Sequence, residues 1–240
     1  MIKRKLTGYQ TSVYSLYVDM INQPHLLIAG TTGSGKSVLL HNLIHTSLCY
    51  KPGTSYIMID VKRVELSRYR KTPQCIYYAS EQTQVITALR YALQIIENRY
   101  KRMQKAGETY YSGSHVYVII DELADIMTTQ KKQCMPLLQR VAQIGRAAKI
   151  HIIACTQCPL SSIIPTQIKV NFSARVGLRT RNKQDSRNII DCNGCEKLPK
   201  YGYGYYVSPD YGTCLTELPL YKSDIMIECI KHYEKQLKRH

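Results

Sequence analysis

Four short, mainly apolar runs recur along the chain: HLLIA at 25–29, SYIMID at 55–60, VYVII at 116–120 and IHIIACT at 150–156. They do not alternate with polar residues, and they are too short for helices. Runs of this kind are strands buried on both faces, as in a parallel sheet covered by helices. Between them the spacing turns helical. VLLHNLI follows the first run at 38–44, and Val85, Leu89, Ala92, Leu93, Ile96 and Tyr100 recur at intervals of three and four within 81–106, marking one face of a long helix. Residues 134–148 repeat that spacing before the fourth run. CIYY reads as a short further strand, residues 9–20 as one or two strands before Pro24, and YGYGYY at 201–206 as a strand after a turn. Residues 221–240 form an amphipathic helix with a basic tail. The pattern predicts an α/β unit with one core over 25–220, preceded by a β extension over 1–24 and followed by a basic helix over 221–240.

Chemistry gathers where the apolar runs end. After the first, Gly30, Gly35, Lys36 and Ser37 satisfy G-x-x-x-x-G-K-[ST], the phosphate-binding loop that joins a strand to a helix. Backbone amides of such a loop turn inward around phosphate oxygens at a helix N-terminus. The candidate nucleotide contacts are therefore Gly30, Thr31, Thr32, Gly33, Ser34, Gly35, Lys36, Ser37 and Val38. Lys36 would reach the β- and γ-phosphates of ATP, and the Ser37 hydroxyl would ligate Mg²⁺. The third run ends in Asp121-Glu122, the form of a Walker B element, with Asp121 directed to Mg²⁺ and Glu122 to the attacking water. In parallel α/β sheets the ligand crevice lies at the carboxyl ends of strands, where Asp60, Asp121 and Gln157 all emerge. Gln157 is a candidate γ-phosphate or water sensor; taken alone, it is equally a loop glutamine bonded to local backbone.

Charge extends the picture. With 33 Lys and Arg against 17 Asp and Glu, the formal net charge is +16. Such a surface attracts polyanions, nucleic acid first and anionic membrane second. No run approaches the roughly 18 apolar residues of a membrane-spanning helix, and MIKRKLTGYQ is followed by no apolar leader segment. A cytoplasmic chain is expected. The nine cysteines are odd in number and do not suggest a disulfide framework. Cys155/Cys158 and Cys192/Cys195 form two CxxC pairs, which read as incidental thiols or, at unusually long spacing, as zinc ligands. Arg99, Lys101, Arg102 and Lys105 crowd the end of the long helix, either complementing its dipole or meeting DNA.

In order along 13–207, the blocks HLLIAGTTGSGKSVLL, MIDVKRVELSRY, LRYALQIIENRYKRM, VYVIIDELADIM, RVAQIGRAAKIHIIACTQ and QDSRNIIDCNGCEKL resemble the motor domain of FtsK/SpoIIIE-type DNA translocases. The resemblance implies a RecA-like P-loop ATPase, usually a hexameric ring, that drives double-stranded DNA through its pore by ATP hydrolysis. One departure is Thr156-Gln157-Cys158-Pro159, where the family's usual Thr-Gln-Arg-Pro has arginine. The chain shows neither a membrane-spanning N-terminal region nor room for a winged-helix module, and so resembles a bare motor of the sort that suits plasmids, integrative elements and phages. The resemblance also implies an arginine supplied by the neighbouring subunit, for which Arg187 in QDSRNIID leads slightly over Arg175 in FSARVGL, with Arg146 third. Segments 99–115, 128–133 and 159–169 are candidate pore loops or plain solvated loops. Two further functions stay open: a coupling, packaging or protein-export ATPase of the same lineage, and a nucleotide-gated DNA-binding or replication module without repeated turnover.

Overall fold

The four apolar runs pair with one another as parallel strands. A computed structural model describes residues 19, 21–51 and 53–218. In it β1 (His25–Ala29), β2 (Ser55–Ile59), β3 (Cys75–Ala79), β4 (Val116–Ile120), β5 (Ile150–Thr156), β6 (Ala174–Gly177), β7 (Tyr203–Ser208) and β8 (Gly212–Glu217) form one sheet, in the order β3-β2-β4-β5-β1-β6-β7-β8. The first six strands are parallel, and β7 and β8 join antiparallel. Every residue of β1, β4 and β5 is buried, because helices cover both faces.

Alternate residues feed two apolar layers. On one face Leu27, Ile57, Val118 and Ile152 meet Ala88, Leu89 and Ile96 of α2 (Gln82–Ala106) and Leu138 and Val141 of α4 (Lys131–Ile144). On the other, Leu26, Ile28, Met58 and Ile119 meet Leu39, Leu40, Leu43 and Ile44 of α1 (Lys36–Tyr50). The remaining helices, α3 (Leu123–Thr129), α5 (Thr166–Asn171) and α6 (Lys183–Ile190), are short and sit on connections. The long helix α2 stops at Gly107, whose φ of 68° lets its amide turn back onto Gln104 and Met103.

Three differences from the sequence reading have physical causes. The helix expected over 134–148 runs from Lys131 to Ile144. It ends at Gly145, where a side chain would meet the Ile150 carbonyl at 2.5 Å, and Lys149 takes a φ of 52° to turn the chain into β5. The strand β8 lacks a solid apolar run; only Cys214 and Thr216 point inward. Asp19, Ile21 and Asn22 are helical where strands were expected, and the Tyr117 hydroxyl donates to the Ile21 carbonyl at 2.9 Å. The rest of the β extension over 1–24 lies mostly outside the described residues, as does the basic helix over 221–240.

At the amino edge of the sheet a row of imidazoles is locked in one polarity. Lys51 lies 3.5 Å from His115 Nε2, His115 Nδ1 lies 2.8 Å from His151 Nε2, and His151 Nδ1–H donates to the Pro24 carbonyl at 3.0 Å. His25 Nε2–H donates to the Ala142 carbonyl while its Nδ1 accepts from the Ile152 amide. Burial pushes His25 and His115 down to about 4 and His151 to about 3, and Lys51, Lys149 and Arg99 further oppose charge on His115. These imidazoles fold neutral, so their stability contribution is complete above the ordinary value of 6.5 and is lost as pH falls toward 4. Urea unfolding between pH 7.5 and 4.5 should show stability dropping through that window, and His151→Gln should flatten the slope. An unchanged slope in the variant would contradict the assignment.

Candidate nucleotide site at the carboxyl edge of the sheet

The loop that follows β1 is held from both sides. The Gly30 amide donates to the Thr156 carbonyl at the end of β5, and the Thr31 amide and hydroxyl both reach the Arg179 carbonyl beyond β6. Gly33 and Gly35 take φ of 73° and 97°, and a side chain on Gly30 would stand 2.7 Å from Leu178 Cβ. Glycine is needed for the turn at the first two positions and for close approach at the third. Lys36 then opens α1, which has no side-chain cap on its first amides.

Three observations fit this loop to a polyphosphate. Lys36 is buried, and its Nζ donates to its own loop at the Gly30 and Thr31 carbonyls, at 2.8 and 3.0 Å. Burial lowers the pKa of its ammonium. The Ser34 hydroxyl is buried without a partner among the described residues. The uncapped amides of α1 supply donors and positive potential at the same point.

A cavity of about 220 Å³ opens beside the loop, lined by Lys36, Ser37, Lys62, Glu65, Asp121 and Gln157 together with Leu40, Val64 and Cys155. Its wall is rich in carboxylate oxygen. Burial pushes Asp121 up to about 7, with repulsion from Asp60, Glu65 and Glu122 adding and Lys62 opposing. An Mg²⁺ ion suits such a wall, because hard oxygen donors and excess negative charge are what it answers. Among the described residues no three acidic, histidine or cysteine side chains converge on one point. Ser37 and Asp121 both line the cavity and would be the residues to hold such an ion.

Glu122 does not line the cavity. It caps α3, is buried, and accepts from Ala124 N, from Thr156 Oγ1 at 2.7 Å and from Gln157 N at 3.0 Å. The Gln157 side chain is tied to the loop, its Oε1 accepting from Thr32 Oγ1 at 2.7 Å. Asp60 emerges where expected but is fully buried, accepting from Val64 N and Leu66 N of its own loop and from the Tyr78 hydroxyl of β3.

The arginines stand apart from this cavity. Arg175 pairs with Asp191 of its own chain at 2.6 Å, whereas Arg187 is exposed on α6 and makes no ion pair among the described residues. Arg146 is exposed beside the amino end of β5. Arg99 is buried, donating to the Ala148 carbonyl at 2.7 Å and stacking over Tyr111, so it braces the fold. Sequence reasoning missed Lys62, Glu65, His41 and Thr156. The charged stretch VKRVE directly after the second strand was the available signal for the first two.

Residues 8–115 match the FtsK/SpoIIIE family. Over 94% of its length the chain is 34% identical to the DNA translocase FtsK of Leptospira interrogans serogroup Icterohaemorrhagiae serovar copenhageni, covering 26% of that protein. It is 34% identical to DNA translocase FtsK of Rickettsia typhi over 76% of this chain and 31% of that one. This is an FtsK/SpoIIIE-family domain. It spans about a third or less of the length of these curated relatives. Among solved structures, the FtsK/SpoIIIE domain superposes on the pCW3 conjugation coupling protein TcpA, in a monomer form with ATPγS, with a TM-score of 0.77. That match has 23% identity and covers 89% of this chain and 66% of TcpA, and it establishes the RecA-like P-loop ATPase fold.

The raised Asp121 gives the site a pH dependence with a defined sign. Below about 7 the carboxyl holds a proton that a cation must displace, so Mg²⁺-dependent nucleotide binding should weaken by up to about tenfold per pH unit on acidification. Titration of a fluorescent ATP analogue at pH 8 and pH 6, with Mg²⁺ and with EDTA, measures this. Asp121→Asn should remove the pH dependence, and its persistence in that variant would assign the proton elsewhere.

Proposed function

We propose that this FtsK/SpoIIIE domain is an ATP-dependent double-stranded DNA translocase, working in the cytoplasm as a homohexameric ring. The observation that carries the proposal is the 34% identity, over nearly the whole chain, to proteins named DNA translocase FtsK. The convergence of Lys36, Ser37, Asp121 and Gln157 on one cavity supports it.

Bound ATP with Mg²⁺ supplies a terminal phosphoryl group open to attack by water. Lys36 exchanges its two loop carbonyls for phosphate oxygens, so its charge is set against theirs at a buried position. Ser37 and Asp121 would hold the cation, which would supply positive charge against the phosphate oxygens. Glu122 accepts the proton of the attacking water once it leaves Thr156 and the Gln157 amide. Gln157 bridges the loop and the Glu122 seat through Thr32, and so reports the state of one to the other. Arg187, exposed and without an ion pair among the described residues, is the better placed of the two arginines to enter a neighbour's site; Arg175 would first have to leave Asp191. The formal charge of +16 favours sequence-independent contact with DNA phosphates, which weakens steeply with salt.

ATP turnover should rise with long duplex DNA and fall by about 10²–10⁴-fold in Glu122→Gln, with nucleotide binding retained. Turnover indifferent to duplex and single strands at low salt would overturn the motor reading. Lys36→Ala and Arg187→Ala should each be inactive alone, and mixing them should restore turnover, since one supplies a nucleotide-binding site and the other an intact arginine. Failure to complement, with mixed rings demonstrated, would exclude Arg187 as the shared residue.

A further inference from the structure

One acidic side chain in the cavity has no part in the roles assigned above. Glu65 Oε1 accepts the Ser37 hydroxyl at 2.8 Å, and its Oε2 lies 3.2 Å from His41 Nε2. His41 Nδ1 in turn lies 2.8 Å from the Tyr69 hydroxyl. A carboxylate can only accept, so the proton of His41 sits on Nε2, and Nδ1 accepts from Tyr69. Both oxygens of Glu65 are therefore held, one by a relay that ends on a buried tyrosine.

The backbone is built to deliver this side chain. The fully buried Asp60 carboxylate accepts the amides of Val64 and Leu66, the residues on either side of Glu65. Arg63 takes a φ of 60°, a region non-glycine residues rarely adopt, to close the turn. A buried carboxylate and a strained residue thus converge on presenting one glutamate to the first turn of α1. A loop that only connected strands would need neither.

We propose that Glu65 is a positioning residue of the nucleotide site, which takes the Ser37 hydroxyl proton as a hydrogen bond and thereby aims the oxygen lone pairs at the cation. A serine hydroxyl has one proton and two lone pairs. With the proton committed to Glu65, the oxygen faces the cavity as a pure acceptor, the form a metal ligand requires. His41 and Tyr69 stop Glu65 from rotating onto the cation itself or onto Lys62. This inference rests on the nucleotide-site reading.

The test reads the Mg²⁺ dependence of nucleotide affinity, using a fluorescent ATP analogue with Mg²⁺ and with EDTA. In the wild-type protein Mg²⁺ should tighten binding; if it does not, the nucleotide-site reading itself fails. Given that tightening, Glu65→Ala should cut it by about tenfold while leaving the affinity in EDTA unchanged. A purely structural Glu65 would lower both affinities together or neither, and either result overturns the proposal. The double variant Ser37→Ala/Glu65→Ala should lose no more than Ser37→Ala alone, because the two act through one hydroxyl; additive losses would overturn it as well. Should Glu65→Ala fail to fold, a crystal structure of the wild-type chain with ATPγS and Mg²⁺ decides. Glu65 within hydrogen-bond distance of a cation-bound Ser37 supports the proposal, and Glu65 turned away from Ser37 refutes it.

Discussion

The nucleotide site hangs from the pairing of β1 between β5 and β6, and from the way that pairing runs on past the strand. Leu178 N donates to Ala29 O, Gly30 N to Thr156 O and Thr31 N to Arg179 O, so the ladder continues for two residues into what would otherwise be a free loop. The loop is thereby fixed before any ligand arrives, and Thr156-Gln157 is brought beside it by register alone. Parallel pairing sends the ends of β2, β4 and β5 to the same edge, which is why residues distant in the chain share one cavity.

Charge at that edge is unbalanced in a way a ligand would correct. Lys36 is buried against its own carbonyls, and the opposite wall holds Asp121 and Glu65, with Glu122 just behind. Hydrogen bonds to charged groups contribute about 1.5–3 kcal/mol each. Glu122, with Thr156 Oγ1 and two amides on its carboxylate, is therefore seated firmly and leaves only against compensation. Gln157 carries one of those amides and also binds Thr32, so two hydrogen bonds connect the phosphate loop to the seat of Glu122. Ordered release of this kind would keep hydrolysis waiting until the site is filled.

Most of the fold was legible because its signals are local. Solid apolar runs announce strands buried on both faces, and 25–29, 55–59, 116–120 and 150–156 are such strands. The phosphate loop is legible because glycine spacing and Lys36-Ser37 meet a steric and electrostatic demand at fixed positions. What escaped depends on distant partners. The seat of Glu65 needs Asp60 to reach two amides around a strained Arg63, and helix α4 stops where Gly145 touches Ile150; neither leaves a periodic trace. The Arg175–Asp191 pair is likewise invisible in a block where Arg187 is as prominent. The half-exposed strand β8 shows why alternation without apolar bulk is a weak signal.

Nucleotide sites of this form serve kinases, switches and motors alike, so motion of DNA, rather than nucleotide binding, is the central claim of the proposed function. Displacement of a triplex-forming oligonucleotide from the far end of a linear duplex measures that motion directly. The account predicts ATP-dependent displacement by the wild-type chain, its loss in Lys36→Ala, and a delay that grows with duplex length. Displacement absent under conditions where the same preparation hydrolyses ATP on duplex DNA would contradict it.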